Sequence, residues 1–247
     1  MNWKAQSPVY RVARHLCASH MRVMLWYWII FIVVLIVVGA LLNHFGVNGG
    51  EKDMLQSTSY SPKIFLLVLG ILLTSLSMPS YVTNGITRKH FAMGAILNIL
   101  FLSVICAILQ SAGVYAGGWI YGLLSIKQEW GGTALFQSLL TSILLYVLYF
   151  TYGWLIGSSY YRFGWMLGTG ITIIVGIVVV TMEKLLEAFY AGGQQTNFTI
   201  AGLGKISFYM ADLGFAFVHV IIFVAASLLG VANCFVLRHA AIRRKIM

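Results

Sequence analysis

His219 is the one ionisable side chain that this sequence places inside any of its long apolar runs. A lone histidine at that depth can relay a proton, ligate a metal or hydrogen-bond a neighbouring helix. A relay needs further carriers, and the runs contain no Asp, Glu, Lys or Arg. Intramembrane metal-dependent hydrolysis needs His/Glu sets such as H-E-x-x-H, and none occurs. Serine hydrolysis needs a positioned serine beside a base, and there is no G-x-S-x-G. Gly202-Leu203-Gly204-Lys205-Ile206-Ser207 imitates a phosphate loop. Such a loop requires Ser or Thr directly after the lysine and an earlier glycine where Thr199 stands. The three cysteines, Cys17, Cys106 and Cys234, are odd in number and scattered, which implies neither a disulfide framework nor a zinc site. The expectation is a chain with no catalytic residue, no metal and no cofactor of its own, hence not an enzyme. His219 is then a helix–helix hydrogen-bonding group or, with Tyr146 and Phe150 of an aromatic run, part of a candidate substrate path.

The elements that would carry these residues follow from composition. Of 247 residues, 60% are hydrophobic and only 9% are charged, with a mean hydropathy of +0.88. A soluble domain carries about 25% charged residues, so this chain cannot coat a water-facing surface. Six continuous apolar runs stand out, at residues 23–42, 64–82, 92–115, 135–157, 165–182 and 215–237. Each is close to the ~17–25 residues that cross the hydrocarbon core as helix. Transmembrane β-barrels are excluded, because their strands alternate in short pieces. The expected fold class is an all-α integral membrane protein, one transmembrane domain over 1–247, with six transmembrane helices.

The charges set the orientation. With both termini on one side, that side holds Lys4, Arg11, Arg14, Arg22, Arg88, Lys89, Arg162, Arg238, Arg243, Arg244 and Lys245. The other side holds Lys52, Lys63, Lys127, Lys184 and Lys205 with all six acids, giving +11 against −1. The positive-inside rule puts both termini in the cytoplasm of a multi-pass protein of the cell membrane. The net charge of +10 is thereby assigned to topology and lipid rather than to nucleic acid.

Ahead of the first run, Ser7-Pro8 reads as a helix start. Val9, Val12, Ala13, Leu16, Cys17 and Met21 recur at helical spacing, with Arg11, Arg14, His15 and Arg22 elsewhere on the wheel. This predicts an amphipathic helix over 1–22 lying in the cytoplasmic headgroup plane. The first run is too long for a signal-peptide core, and no small-x-small site follows it. Residues 183–214 carry apolar stretches on both sides of Ala191-Gly192-Gly193-Gln194-Gln195, predicting two short outer helices, re-entrant or interfacial. The Asn197-Phe198-Thr199 sequon there is a chance-level match. Small residues four apart, as in Gly153–Gly157, Gly164–Gly168, Gly113–Gly117 and Gly118–Gly122, predict close helix packing. The neutral polar residues Thr74, Asn98, Gln110, Thr141, Thr151 and Asn233 are expected to hydrogen-bond between helices; of the aromatics Tyr146, Tyr149, Phe150, Tyr152 and Trp154, those near the cytoplasmic end of the run are expected to supply an interfacial belt.

The most specific stretch is Met78-Pro79-Ser80-Tyr81-Val82-Thr83-Asn84-Gly85-Ile86-Thr87-Arg88-Lys89-His90-Phe91. It resembles the loop between the second and third spans of type-2 family ABC transporter permeases, above all the small six-span permeases of Gram-positive bacterial exporters. The basic N-terminal helix, the six spans and the paired helices before the last span extend the resemblance over nearly the whole chain. It implies a bacterial cell-membrane permease that exports an amphipathic or hydrophobic substrate such as a peptide, lipid or drug. It also implies a separate ABC ATPase subunit that binds ATP, and a second permease subunit, of the same or a sister chain. Asn84, Gly85, Thr87, Arg88 and Lys89 would make the ATPase-coupling contact, helped by Arg11 and Arg14 of the interfacial helix. The alternative is a membrane immunity or accessory protein that binds a toxic peptide without transport and has no need of that loop.

Overall fold

Apolar runs with few breakers form helices, since a segment with no water to bind must satisfy its backbone internally. A computed structural model describes residues 7–44, 60–123, 135–190, 196–200, 204–208 and 215–238. The helices are α1 (Pro8–His44), α2 (Tyr60–Leu72), α3 (Met78–Thr83), α4 (Arg88–Leu123), α5 (Leu135–Tyr190) and α6 (Phe215–Arg238). A π-helical turn, Leu73–Ser77, joins α2 to α3. It ends two residues before Pro79, whose missing N–H leaves the ladder one bond short. Among the described residues, five helical stretches are long and apolar enough to cross a membrane: Pro8–Val38, Tyr60–Thr83, Arg88–Gly113, Ser138–Lys184 and Phe217–Arg238.

The fourth of these is two helices. Gly164 has φ 80° and ψ −171° in the middle of α5, a region of backbone space that is essentially glycine-only. The chain reverses there. Tyr160 hydrogen-bonds with Thr169 at 2.9 Å and Tyr152 donates to the Thr172 carbonyl at 2.8 Å. Residues up to 163 therefore form a first arm, and residues from 165 a second arm running back along it.

Successive apolar segments alternate in direction. Val12 lies against Gly94, and His20 against Asn98, so α1 and α4 run the same way. His15 meets Tyr81 and Tyr27 meets Ser61, so α2 and α3 run opposite to α1. Gly153 approaches Leu67 and Gly157 approaches Ile71, so the first arm runs with α2; Thr141–His219 and Ser158–Asn233 pairs put α6 in that direction too. One end of the bundle thus gathers Arg11, Arg14, Arg88, Lys89, Arg162 and Arg238, and is called the basic end below.

Three expectations are corrected. The segment 8–22 is not a separate helix lying across the bundle, because α1 is continuous from Pro8 to His44. Val12, Leu16, His20, Met24 and Trp28 form one buried stripe at spacing four, which crosses the presumed junction at Arg22 without a breaker. That stripe packs along α4, and at about 55 Å the helix outreaches a ~30 Å hydrocarbon core. Second, within this helical fold α5 continues to Tyr190, and a small hairpin follows in which β1 (Thr196–Ile200) pairs antiparallel with β2 (Gly204–Phe208), placing Phe198 opposite Ile206. The paired short helices over 183–214 are replaced by this hairpin, since apolar residues at Phe198, Ile200, Ile206 and Phe208 follow a period of two. Third, Trp154 is no belt residue, being buried in line with Tyr146 and Phe150. Their spacing of four puts them on one buried face of the first arm, within the main core beside Trp28, Leu66, Leu102 and Cys106.

The glycine turn 191–195, the loops 45–59 and 124–134, and the basic residues Lys4, Arg243, Arg244 and Lys245 lie outside the described residues.

Candidate functional site

The basic end is built from helix termini. α3 ends in a Schellman motif, the reciprocal pair of bonds that closes a helix on a left-handed residue. Gly85, at φ 79°, donates to the Val82 carbonyl at 3.1 Å, and Ile86 donates to the Tyr81 carbonyl at 3.1 Å. Asn84 donates to the Ser80 carbonyl through its side-chain amide at 2.8 Å. Thr87 then begins α4, its hydroxyl accepting from the His90 N–H at 3.3 Å. The connection from α3 to α4 is four residues long, 84–87, and contains no helix of its own.

The arginines close the bundle from the other side. Arg88 donates to the Arg238 carbonyl at 3.4 Å and Arg162 to the Val236 carbonyl at 3.3 Å. Both cations sit at the C-terminus of α6, where orphan carbonyls and the helix dipole favour positive charge. Arg162 also stacks on Phe163, with 4.7 Å from its guanidinium carbon to the ring centroid. The N-terminal part of α1 joins through a 2.6 Å hydrogen bond between His15 Nδ1 and the Tyr81 hydroxyl. The structure therefore brings the residues expected for coupling to one end, but gives most of them a folding task. Asn84, Gly85 and Thr87 close helices, and Arg88 caps α6. Lys89, Arg11 and Arg14 are exposed there.

The candidate path residues are not brought together. Tyr146 and Phe150 are buried in the main core. His219 is 6% exposed on α6 and hydrogen-bonds Thr141 at 2.8 Å, among the separate cluster that contains Val218 and Ile222. The expected interhelical bonding of neutral polar residues is present at Asn98, which bonds His20 at 3.0 Å, and at Asn233. Asn233 accepts from Ser158 at 2.8 Å and donates to the Thr151 carbonyl at 3.1 Å. Thr151 itself bonds within its own helix, and Thr74 Oγ1 and Gln110 Nε2 find no partner among the described residues.

Sequence reasoning missed a buried ion pair. Lys63 and Glu183 lie 120 residues apart and contact each other at the end remote from the arginines. Both are 8% exposed. Tyr149 donates its hydroxyl to the other oxygen of Glu183, and the rings of Tyr60 and Tyr149 flank the Lys63 ammonium at 4.5 and 6.0 Å from their centroids. The apolar runs end at 64 and 182, so each charge looked like a loop residue. No periodicity links two positions so far apart.

Fold and site together describe a helical protein that, among the described residues, has five helices long and apolar enough to cross a membrane, as in a multi-pass membrane protein, and a cation-rich end. Comparison with protein-family models, with characterised proteins and with solved structures finds no match. Among the described residues no group of His, Cys, Asp or Glu is placed to hold a metal.

Proposed function

We propose that this chain is the permease subunit of an ATP-driven exporter of the ABC type in a bacterial cell membrane. Six segments cross, the two arms of α5 separately, with the basic end in the cytoplasm and both termini beside it. The energy comes from a separate ATPase subunit docked on that end, and a second permease chain completes the pathway for an amphipathic peptide, lipid or drug. The observation that carries this reading is the joining of α3, whose Tyr81 carbonyl also anchors the α3–α4 turn through Ile86, to the N-terminal part of α1 through the His15–Tyr81 hydrogen bond. A partner that pushes on either element moves both. The exposed cations Arg11, Arg14 and Lys89 offer it a charged surface, and the chain's lack of a phosphate loop requires a motor elsewhere.

The test is co-purification. Affinity-tagged chain from its native host should bring down an ABC ATPase whose ATP turnover rises with transported substrate. Replacing Arg11 and Lys89 together by alanine should weaken that association without disturbing insertion, because the helix caps stay intact. An ATPase-free preparation that hydrolyses ATP, or a wild-type chain that captures no ATPase, sinks the proposal.

One observation favours a second reading. Asn84, Gly85, Thr87 and Arg88 are all used in closing helices, so the turn needs no motor to explain it. A membrane protein that sequesters a toxic peptide without transport fits that economy. It predicts protection of the host by a chain that purifies alone, undiminished by replacement of Arg11 and Lys89.

A further inference from the structure

We propose that the second arm of α5 is a hinged flap, pivoting at Gly164 and latched at its far end by Glu183 to Lys63 and Tyr149. The receiving half of the latch is rigid. Lys63 is on α2 and Tyr149 on the first arm, and these two helices touch backbone to backbone. A Cβ on Gly70 would stand 2.4 Å from the Phe150 carbonyl oxygen, and one on Gly157 would stand 2.3 Å from that of Ile71. Nothing slides at such an interface, because the close-packed surfaces have no slack.

The second arm meets the bundle differently. Gly176 faces only the side chain of Tyr152, and Gly168 faces first the ring of Tyr160, with backbone, the Tyr160 Cα, no nearer than 3.2 Å to a Cβ built there. Tyrosine side chains can rotate, and their hydroxyl bonds to Thr169 and the Thr172 carbonyl can be exchanged for others. Val179 and Leu186 supply the apolar contact beneath, while Ile173, Ile174, Ile177 and Val178 face outward. At the pivot, Gly164 has open space around it and a backbone conformation with no side-chain cost, as hinges require. The ion pair sits at the opposite end of the lever, where the smallest rotation opens the largest gap.

The choice of an ion pair also argues for a contact that breaks. A buried pair gains little over an apolar pair of the same volume, since desolvation offsets the attraction, so stability alone does not call for one. Ionisable residues inside a helical membrane bundle pair with one another and mark moving or conducting parts. Here the pair joins the loosely packed arm to the rigidly packed helices.

The test reads distances in purified protein reconstituted in lipid nanodiscs, where neither orientation nor cargo matters. With Cys17, Cys106 and Cys234 replaced by alanine, spin labels go on the exposed positions Ile64 and Val180, with Ile64 and Leu97 as a control pair. Lys63→Gln and Glu183→Gln should each add a longer 64–180 population and leave 64–97 unchanged. The swap Lys63→Glu with Glu183→Lys should regain the short distance. Unchanged 64–180 distances in both single variants overturn the proposal. So does a broadening of both pairs together, which is general loosening, and so does a swapped pair as open as the singles. Hydrogen exchange on the unmodified protein gives an independent reading. Amides of 165–183 should exchange as a block ahead of those of 138–163, and equal protection of the two arms also overturns the flap.

Discussion

A Cβ on Gly153 would stand 2.0 Å from the carbonyl oxygen of Leu67. No side-chain adjustment relieves that clash, because the atom it meets is backbone. Gly153→Ala should therefore force α2 and the first arm apart, costing at least the ~1–3 kcal/mol of ordinary overpacking. Gly170→Ala is the matched control, since a Cβ there meets nothing within 4 Å. It should be neutral or stabilise by up to ~1 kcal/mol through helix propensity. Unfolding in mixed detergent micelles, followed by circular dichroism, separates the two. Equal stability of both variants would remove this interface from the fold's main supports.

Gly85 and Gly164 make a second pair of glycines with a different physics. Both have open space where a Cβ would go, and both have positive φ, 79° and 80°. Their cost on substitution is backbone strain alone. Gly85 sits in the left-handed helical region, which asparagine tolerates, so Gly85→Asn should cost less than Gly85→Ala, itself about 1 kcal/mol. Gly164 combines its φ with ψ −171°, a region closed to asparagine as well. Both Gly164→Ala and Gly164→Asn should cost about 1–3 kcal/mol. If asparagine rescues position 164 as well as position 85, the backbone assignment at the reversal is wrong.

What the sequence makes legible here is what has a period. The apolar runs, the close approach at Gly153–Gly157 and the polar contacts of Asn98 and Asn233 follow from composition and local spacing. The Gly164–Gly168 motif shows the limit of that reading. Gly168 packs as the spacing suggests, against Tyr160, but Gly164 turns the chain. Spacing alone does not tell a packing glycine from a hinge. The N-terminal helix failed for a related reason. Val12, Leu16 and His20 form an apolar-leaning stripe whether their partner is lipid or α4, and only the continuation through Met24 and Trp28 picks the protein. Lys63 and Glu183 carried no signal at all, because an ion pair between distant segments has no local pattern.

Asn233 ties α6 to the first arm. It accepts from Ser158 at 2.8 Å and donates to the Thr151 carbonyl at 3.1 Å. Bonds of this type average only about 0.6 kcal/mol in membrane helices, because the separated helices find other partners. Asn233→Leu with Ser158→Ala should therefore show a coupling near that value in a double-mutant cycle. A coupling above ~2 kcal/mol would mean that the separated helices leave these groups unpaired.

Arg88 and Arg162 test whether the basic end is a cap or a dock. Each donates to a terminal carbonyl of α6, at 3.4 and 3.3 Å, beyond the usual 2.7–3.2 Å range of strong N–H···O bonds. Charge at a helix C-terminus contributes about 0.3–1 kcal/mol when exposed, and these long contacts belong at the low end. Arg88→Gln and Arg162→Gln should each lower stability by a few tenths of a kcal/mol, and salt should diminish the difference. Lys89→Ala, with its side chain exposed, should leave stability within ~0.5 kcal/mol. The readouts then cross. If a partner docks here, Lys89→Ala, which is silent in unfolding, weakens its capture. Arg88→Gln weakens it only in proportion to the loosening of the end of α6, which accelerated hydrogen exchange in the last turn measures directly. Capture that falls with Arg88→Gln while that turn stays protected would show that Arg88 touches the partner itself. Full capture by both variants would leave the basic end with the tasks of orienting the chain and closing α6.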